Sequence, residues 1–207
     1  KDRGVFLQQE VNWRDFLVAT VGVRADKSTN NGDANKLYYY PKANLAVNLH
    51  EMERWTLESV SQAKLRVAYG QAGRFANFND RFNAMDGTFI GNSNGLFTNV
   101  LRGNSEVGPE RQSEIEFGTD LGFFKNRLVV DVTYYIKSID DLLLRAQIPT
   151  STGYTQQVLN AGALRNNGIE IGIEAMPLKG VFTWTTGINF WKNTSPVFDT
   201  GTPKIKI

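Results

Sequence analysis

The feature that most constrains this chain is a period of two. Asn167 to Met176 reads NGIEIGIEAM, with Ile169, Ile171, Ile173 and Ala175 on one side and Glu170, Gly172 and Glu174 on the other. A strand sends successive side chains to opposite faces, whereas a helix would scatter these isoleucines around its circumference. Ser113 to Gly122 sets Ile115, Phe117, Thr119 and Leu121 against Glu114, Glu116, Gly118 and Asp120. Leu128 to Lys137 sets Leu128, Val130, Val132, Tyr134 and Ile136 against Val129, Asp131, Thr133, Tyr135 and Lys137. The same reading, with weaker alternation, covers Phe16 to Asp26, Tyr39 to Asn48, Lys64 to Gly73 and Phe182 to Trp191, with a partial strand near Val5 to Trp13. The fold class this predicts is all-β, an antiparallel arrangement of about eight long strands.

Most of these strands span ~9–11 residues, against ~5–6 in ordinary soluble sheets, and that is the length needed to cross a bilayer at a tilt. The connections alternate as well. They are short at Arg14-Asp15, long at Lys27 to Lys36, moderate at Leu49 to Ala63 and very long at Arg74 to Gln112. They are then short at Phe123 to Arg127, long at Ser138 to Arg165 and short at Pro177 to Val181. A transmembrane β-barrel of the outer membrane has short periplasmic turns and long extracellular loops, so the alternation also orients the chain. The moderate connection, with Glu51, Glu53 and Glu58 among Met52, Trp55 and Leu57, is expected to hold a short interfacial helix. A soluble antiparallel sandwich has alternating strands too, but has no reason to make every second loop long.

Composition narrows the function. Of 207 residues, 23 are Lys or Arg and 21 Asp or Glu, a formal charge of +2, and no basic run exceeds two adjacent residues. Nucleic acid is therefore not an expected partner, because phosphate binding needs a clustered basic face. There is no Cys, which excludes a disulfide scaffold and any thiolate metal site. Apolar stretches such as Phe16 to Ala19 fall far short of the ~20 residues of a membrane helix.

Candidate catalytic groups are few. His50 is the only His and is expected to be a solvated residue at a periplasmic turn. Asp140-Asp141 lacks the alternating oxygen ligands of a calcium loop and reads as a solvated strand edge. The pairs Glu114/Glu116 and Glu170/Glu174 could suggest glycosidase chemistry. Each pair shares one face of an alternating strand and reads more simply as lumen lining, with Arg24, Lys64, Arg66, Asp120, Asp131 and Lys137. No catalytic, cofactor-binding or metal residue is expected, and no substrate-binding residue is assigned.

Trp13, Tyr38, Tyr39, Tyr40, Trp55, Phe123, Phe124, Trp184 and Trp191 lie near strand ends, where a barrel places its aromatic girdles. Five phenylalanines, Phe75, Phe78, Phe82, Phe89 and Phe97, crowd the longest loop and need burial within it or against a partner.

Several of these segments, in order, resemble one family. KLRVAYGQAG (Lys64 to Gly73), the Pro-Glu-Arg element at Pro109 to Arg111, Ser113 to Leu144 and Ser151 to Gly180 are similar to the barrel of SusC/RagA-type TonB-dependent transporters of Bacteroidetes. LYYYPKANLAVN (Leu37 to Asn48) is similar to the strand preceding them. The most specific element is the Asn160-Ala161-Gly162 step followed by Asn167-Gly168-Ile169-Glu170. Where the family often has an Asn-Pro-Asp-Leu-Lys-Pro-Glu-like run, this chain reads NSEVGPE (Asn104 to Glu110), keeping Asn104, Pro109 and Glu110.

The resemblance implies outer-membrane import of a nutrient such as a glycan or peptide by a barrel of roughly 22 strands. It also implies a SusD-like surface lipoprotein, the TonB–ExbB–ExbD complex acting through a plug, and contact with outer-membrane lipid. No cofactor is implied, and the family does not consist of enzymes. Because the chain opens on Lys1-Asp2-Arg3-Gly4, residues 1–207 are expected to be an internal part of such a barrel, without plug, signal peptide or final strands. Two other readings are a small self-closed eight-stranded barrel with an adhesive or structural role, and a soluble carbohydrate-binding β-domain.

Overall fold

A computed structural model describes residues 1–199 of the chain. Eight long strands form one antiparallel wall: β1 (Asp2–Trp13), β2 (Leu17–Ser28), β3 (Tyr38–Asn48), β4 (Val60–Arg74), β8 (Glu110–Phe123), β9 (Leu128–Asp140), β12 (Ala163–Leu178) and β13 (Trp184–Thr194). They pair in that order, with a short β14 (Val197–Asp199) added beside β12. The long connections hold the remaining strands: β5 (Met85–Ile90), β6 (Ser93–Thr98), β7 (Leu101–Arg102), β10 (Leu143–Gln147) and β11 (Gln156–Asn160).

The predicted eight strands are all present, most of them extended by one to a few residues where the ladder continues past the alternating pattern. Among the described residues no ladder joins β1 to β13, so the wall is open at both edges. That corrects the self-closed eight-stranded reading. It is also a single layer. Among the described residues the buried apolar ones are Tyr40, Ala63, Ala76, Val107, Ile148 and Val158, and no second sheet covers the isoleucines, as a sandwich would require.

Register puts the alternation into space. Trp13 pairs with Leu17, Leu17 with Val47, Val47 with Leu65, Leu65 with Thr119, Thr119 with Val132, Val132 with Ile171 and Ile171 with Phe190. This row starts at the turn end of β1 and finishes past the middle of β13, so the strands are staggered as in a tilted barrel wall. All of these side chains share one face. From Val5 to Trp13 that face of β1 runs roughly 26 Å along the strand, about 20 Å of height at a barrel tilt of about 40°, which fills most of an apolar band ~25 Å tall.

The turn rim is tight. Arg14 and Asp15 both take φ of 53°, and Phe124, Lys125 and Asn126 take 54°, 60° and 59°. The first turn is tied down by Asn12, whose amide donates to Asp15 at 3.0 Å, and by the Asn48 N–H, which donates to the Phe16 carbonyl at 2.8 Å.

The expected helix between β3 and β4 is reduced to one 3-10 turn, Leu49–Glu51. From Met52 to Ser59 the chain runs through bends and turns instead, and the Trp55 indole donates to the Val60 carbonyl at 3.0 Å just where the β4 ladder begins. An α-helical turn, α1 (Phe78–Arg81), lies instead in the longest loop, where Asn77 and Asp80 form a capping box. Among the described residues, no helix is long and apolar enough to cross a membrane.

Candidate functional site

Two surfaces carry the chemistry: the polar face of the wall and the loop cluster above it. On the polar face, Lys64 stands opposite Asp120, Asp120 opposite Asp131, and Asp131 opposite Gly172, beside Glu170 and Glu174. Arg24, Arg66, Glu114, Glu116 and Lys137 follow the same parity, so all ten charges expected in the lumen share one face.

The centre of this face is an ion-pair ladder. Arg66 Nη2 lies 3.1 Å from Asp120 Oδ1 and donates to Thr133 Oγ1 at 2.9 Å, so one guanidinium bridges three strands. Lys64 approaches the same carboxylate at 3.9 Å, and Lys137 lies 3.8 Å from Glu114. Arg66 lies flat because residue 118 is glycine: a Cβ there would stand 2.6 Å from Arg66 Nε. Gly172 plays the same part under the Asp131 carboxylate. Beside the ladder is a cavity of about 350 Å³ floored by Ala68, Gly70 and Ala72, with Lys42 on one side and Gln112, Glu114 and Glu116 on the other.

The loop cluster has its own small core, Ala76, Val107 and Val158, with Leu101 and Leu143 packed against it. β11 pairs with β10 antiparallel and with β7 parallel, which joins the two longest loops. The motifs singled out in the sequence are the ties. The Gly108 N–H donates to Asn160 Oδ1 at 2.7 Å, and Asn160 Nδ2 donates to the carbonyls of Gly108 and Asp141, both at 3.0 Å. Asn104 Nδ2 donates to the Val158 carbonyl at 2.9 Å, and Glu110 Oε1 accepts from the Leu143 N–H at 2.9 Å. The loop after β2 joins through the Gly32 N–H, which donates to the Val107 carbonyl at 2.6 Å.

Among the described residues the hairpin β5–β6 pairs with no other strand. Met85, Phe89 and Leu96 crowd one of its faces and Ile90 and Phe97 the other, and all five are exposed. Of the loop phenylalanines, only Phe75 is half-buried; Phe78 and Phe82 pack ring to ring at 5.7 Å yet stay exposed, as do Phe89 and Phe97. Burial within the loop is therefore not what this segment achieves.

His50 departs from its expected role as a solvated residue. Its Nδ1 lies 3.3 Å from the Ala63 N–H and 3.2 Å from the Ala63 carbonyl, so it continues the β3–β4 contact one step past the last backbone pair. Asp140 and Asp141 are exposed at the strand edge, as expected. Among the aromatics, Trp13, Phe123 and Trp184 lie on the apolar face at the turn rim and Tyr39 on it at the loop rim, with Phe124 and Trp55 in the turns. Tyr38, Tyr40 and Trp191 are corrected: each has the parity of the polar face, Tyr40 opposite Arg24 and Trp191 opposite Glu170. Nearness to a strand end picks out height in the wall but not side. Among the described residues, no three His, Asp or Glu come together as metal ligands.

Comparison with known proteins follows the same lines. The family described as "TonB dependent receptor-like, beta-barrel" matches residues 1–204. TonB-dependent receptor P39 of Formosa agariphila is 32% identical over 192 residues, covering 91% of this chain and 18% of that protein. TonB-dependent receptor SusC of Bacteroides thetaiotaomicron is 27% identical, covering 86% of this chain and 19% of that protein. The chain thus spans about a fifth of the length of these curated relatives. Among solved structures, the RagAB peptide transporter superposes with a TM-score of 0.87 at 20% identity, over 97% of this chain and 22% of that one. The siderophore receptor PirA from Pseudomonas aeruginosa superposes at 0.64 and 19% identity, over 93% and 34%.

Proposed function

The chain belongs to the family of TonB-dependent receptor-like β-barrels, and from that premise we propose that it builds part of the wall and outer loops of an outer-membrane importer. The cargo is a nutrient such as a glycan or a peptide. The observation that carries the reading is the two-sided wall: one face uncharged from Val5 to Trp13 and across Val132 and Ile171, the other carrying the Arg66–Asp120 ladder. Such a wall suits lipid outside and water inside.

Cargo binds at the loop rim and then passes along the polar face once a plug is displaced. Residues 1–207 are an internal part of the barrel, and the plug and the other strands come from the remainder of a longer protein. A SusD-like surface lipoprotein covers the loop rim, and TonB–ExbB–ExbD supplies energy from the inner membrane. Importers of this kind bind and translocate without covalent chemistry, so the protein is not an enzyme.

The test is uptake of fluorescent oligosaccharides and oligopeptides by cells that carry or lack the full-length protein, each with and without TonB. Uptake of at least one class that needs both is expected. Uptake of both classes unchanged by either deletion would overturn the proposal.

A further inference from the structure

The apolar face is uncharged through its band but not at its loop rim. There it carries Arg3, Lys27, Arg111, Arg165 and Lys192, each near the loop end of its strand. Among residues 1–196, one carboxylate in the wall strands has the same parity at this height, Asp140, which stands opposite Arg111. The turn rim of this face has no such set within its strands. Arg3 and Lys27 are direct cross-strand neighbours, and like charges placed so are destabilising unless an anion lies between them. Neither belongs to an ion pair among the described residues; the carboxylates nearest in sequence, Asp2 and Asp26, have the parity of the other face, where Asp2 accepts from Ser28 and Asp26 from Arg24.

We propose that this rim is a binding surface for the phosphate groups of outer-leaflet glycolipid, with the Arg3–Lys27 pair as its central site. The inference rests on the outer-membrane wall reading and adds a ligand to its lipid side. The vertical order of side chains fits a membrane interface. Val23 lies in the apolar band, Tyr39 stands beside Ala25 one step higher, and Lys27 follows one step above that. An aromatic at headgroup depth with a long cation above it is the arrangement an interface selects, since the cation's methylenes stay in the apolar layer while its charge reaches out. A phosphate between the Arg3 guanidinium and the Lys27 ammonium turns a repulsive pair into two charge-assisted contacts. Zwitterionic phospholipid, whose own ammonium competes for the phosphate, fits this mainly cationic rim less well.

The experiment uses the purified full-length protein, with barrel assembly checked by heat-modifiable gel migration. Native mass spectrometry measures binding of a lipid A-type glycolipid with its phosphates, and of the same glycolipid after enzymatic dephosphorylation. Arg3→Gln/Lys27→Gln is expected to weaken binding of the phosphorylated form on the order of thirtyfold, from the usual contribution of each cation near an anionic surface. Lys125→Gln/Lys179→Gln removes the same charge from the opposite rim and is expected to change binding less than twofold, roughly the scatter between unrelated surface variants. Equal binding by the Arg3/Lys27 variant, an equal loss in the Lys125/Lys179 variant, or equal affinity for the dephosphorylated glycolipid would each overturn the proposal. Because no transported cargo enters the measurement, failure of the import reading leaves the result interpretable, and failure here leaves import standing.

Discussion

Asn160 and Gly108 hold each other from both sides: the Gly108 N–H donates to Asn160 Oδ1 at 2.7 Å, and Asn160 Nδ2 donates back to the Gly108 carbonyl at 3.0 Å. One side chain therefore satisfies a backbone donor and acceptor 52 residues away and, through Asp141, a third group in its own loop. Asn160→Asp keeps the size and the acceptor but loses both donated bonds and sets a carboxylate against two carbonyls. It is expected to loosen the loop cluster nearly as much as Asn160→Ala, by about 1–3 kcal/mol locally. Hydrogen exchange at Gly108 and Leu143 reads this directly. Protection unchanged in the Asp variant would show that Asn160 contributes packing and not hydrogen bonds.

Val132 and Ile171 are opposed on the apolar face between β9 and β12. Arg at either position in the full-length protein places a charge in the lipid band, at a cost of ~2–4 kcal/mol near the midplane. Both variants are expected to show lowered unfolding midpoints in urea and reduced assembly. Asn189→Arg, on the polar face next to Gly172, is expected to assemble normally. Normal assembly of all three variants would reverse the assignment of the faces.

Gly118 lets Arg66 cross to Asp120 and Thr133. In Gly118→Val the Arg66 side chain must lift, and the three-strand bridge is lost. The ladder is partly solvated, so its electrostatic part is small, and the expected cost is about 1–2 kcal/mol from displacement and lost hydrogen bonds together. A double-mutant cycle with Arg66→Met checks the cause: the Gly118→Val penalty should shrink to less than half once Arg66 is gone. An unchanged penalty would place the clash elsewhere.

The wall was legible because lipid on one side and water on the other write a period of two into each strand. The alternation of Ile169, Ile171 and Ile173 with Glu170 and Glu174 needs no knowledge of neighbours. The loop cluster was not legible for the opposite reason. β7 is two residues long and pairs in parallel with β11, more than fifty positions away, so nothing local announces it. β5 and β6 carry apolar residues on both faces, which erases the period. Asn104, Glu110 and Asn160 stood out as elements shared with a family, but only the structure supplies the physical reason, their ties between distant backbones. The girdle reading failed at Tyr38, Tyr40 and Trp191 because side within the wall is a matter of parity, which the short pattern around each of them does not fix.

The hairpin β5–β6 supplies the last prediction. Its ladder is internal, and its ties to the rest of the molecule are few: Asn99 Nδ2 donates to Asp86 Oδ2 at 2.8 Å, and Thr98 Oγ1 donates to the Gly153 carbonyl at 3.4 Å. A two-stranded hairpin is marginal by itself, and here Phe89 and Ile90 remain 78% and 66% exposed. Removing it should therefore cost the wall little. Replacing 85–98 with a short Gly-Ser linker is expected to leave the unfolding midpoint of the full-length protein within about 0.5 kcal/mol of the parent. Heat-modifiable migration should be unchanged, since none of the eight wall strands pairs with the hairpin. A hairpin that served the wall would instead show as lost assembly. With assembly intact, any change in cargo uptake by the variant reports on what its exposed apolar faces contact outside the wall.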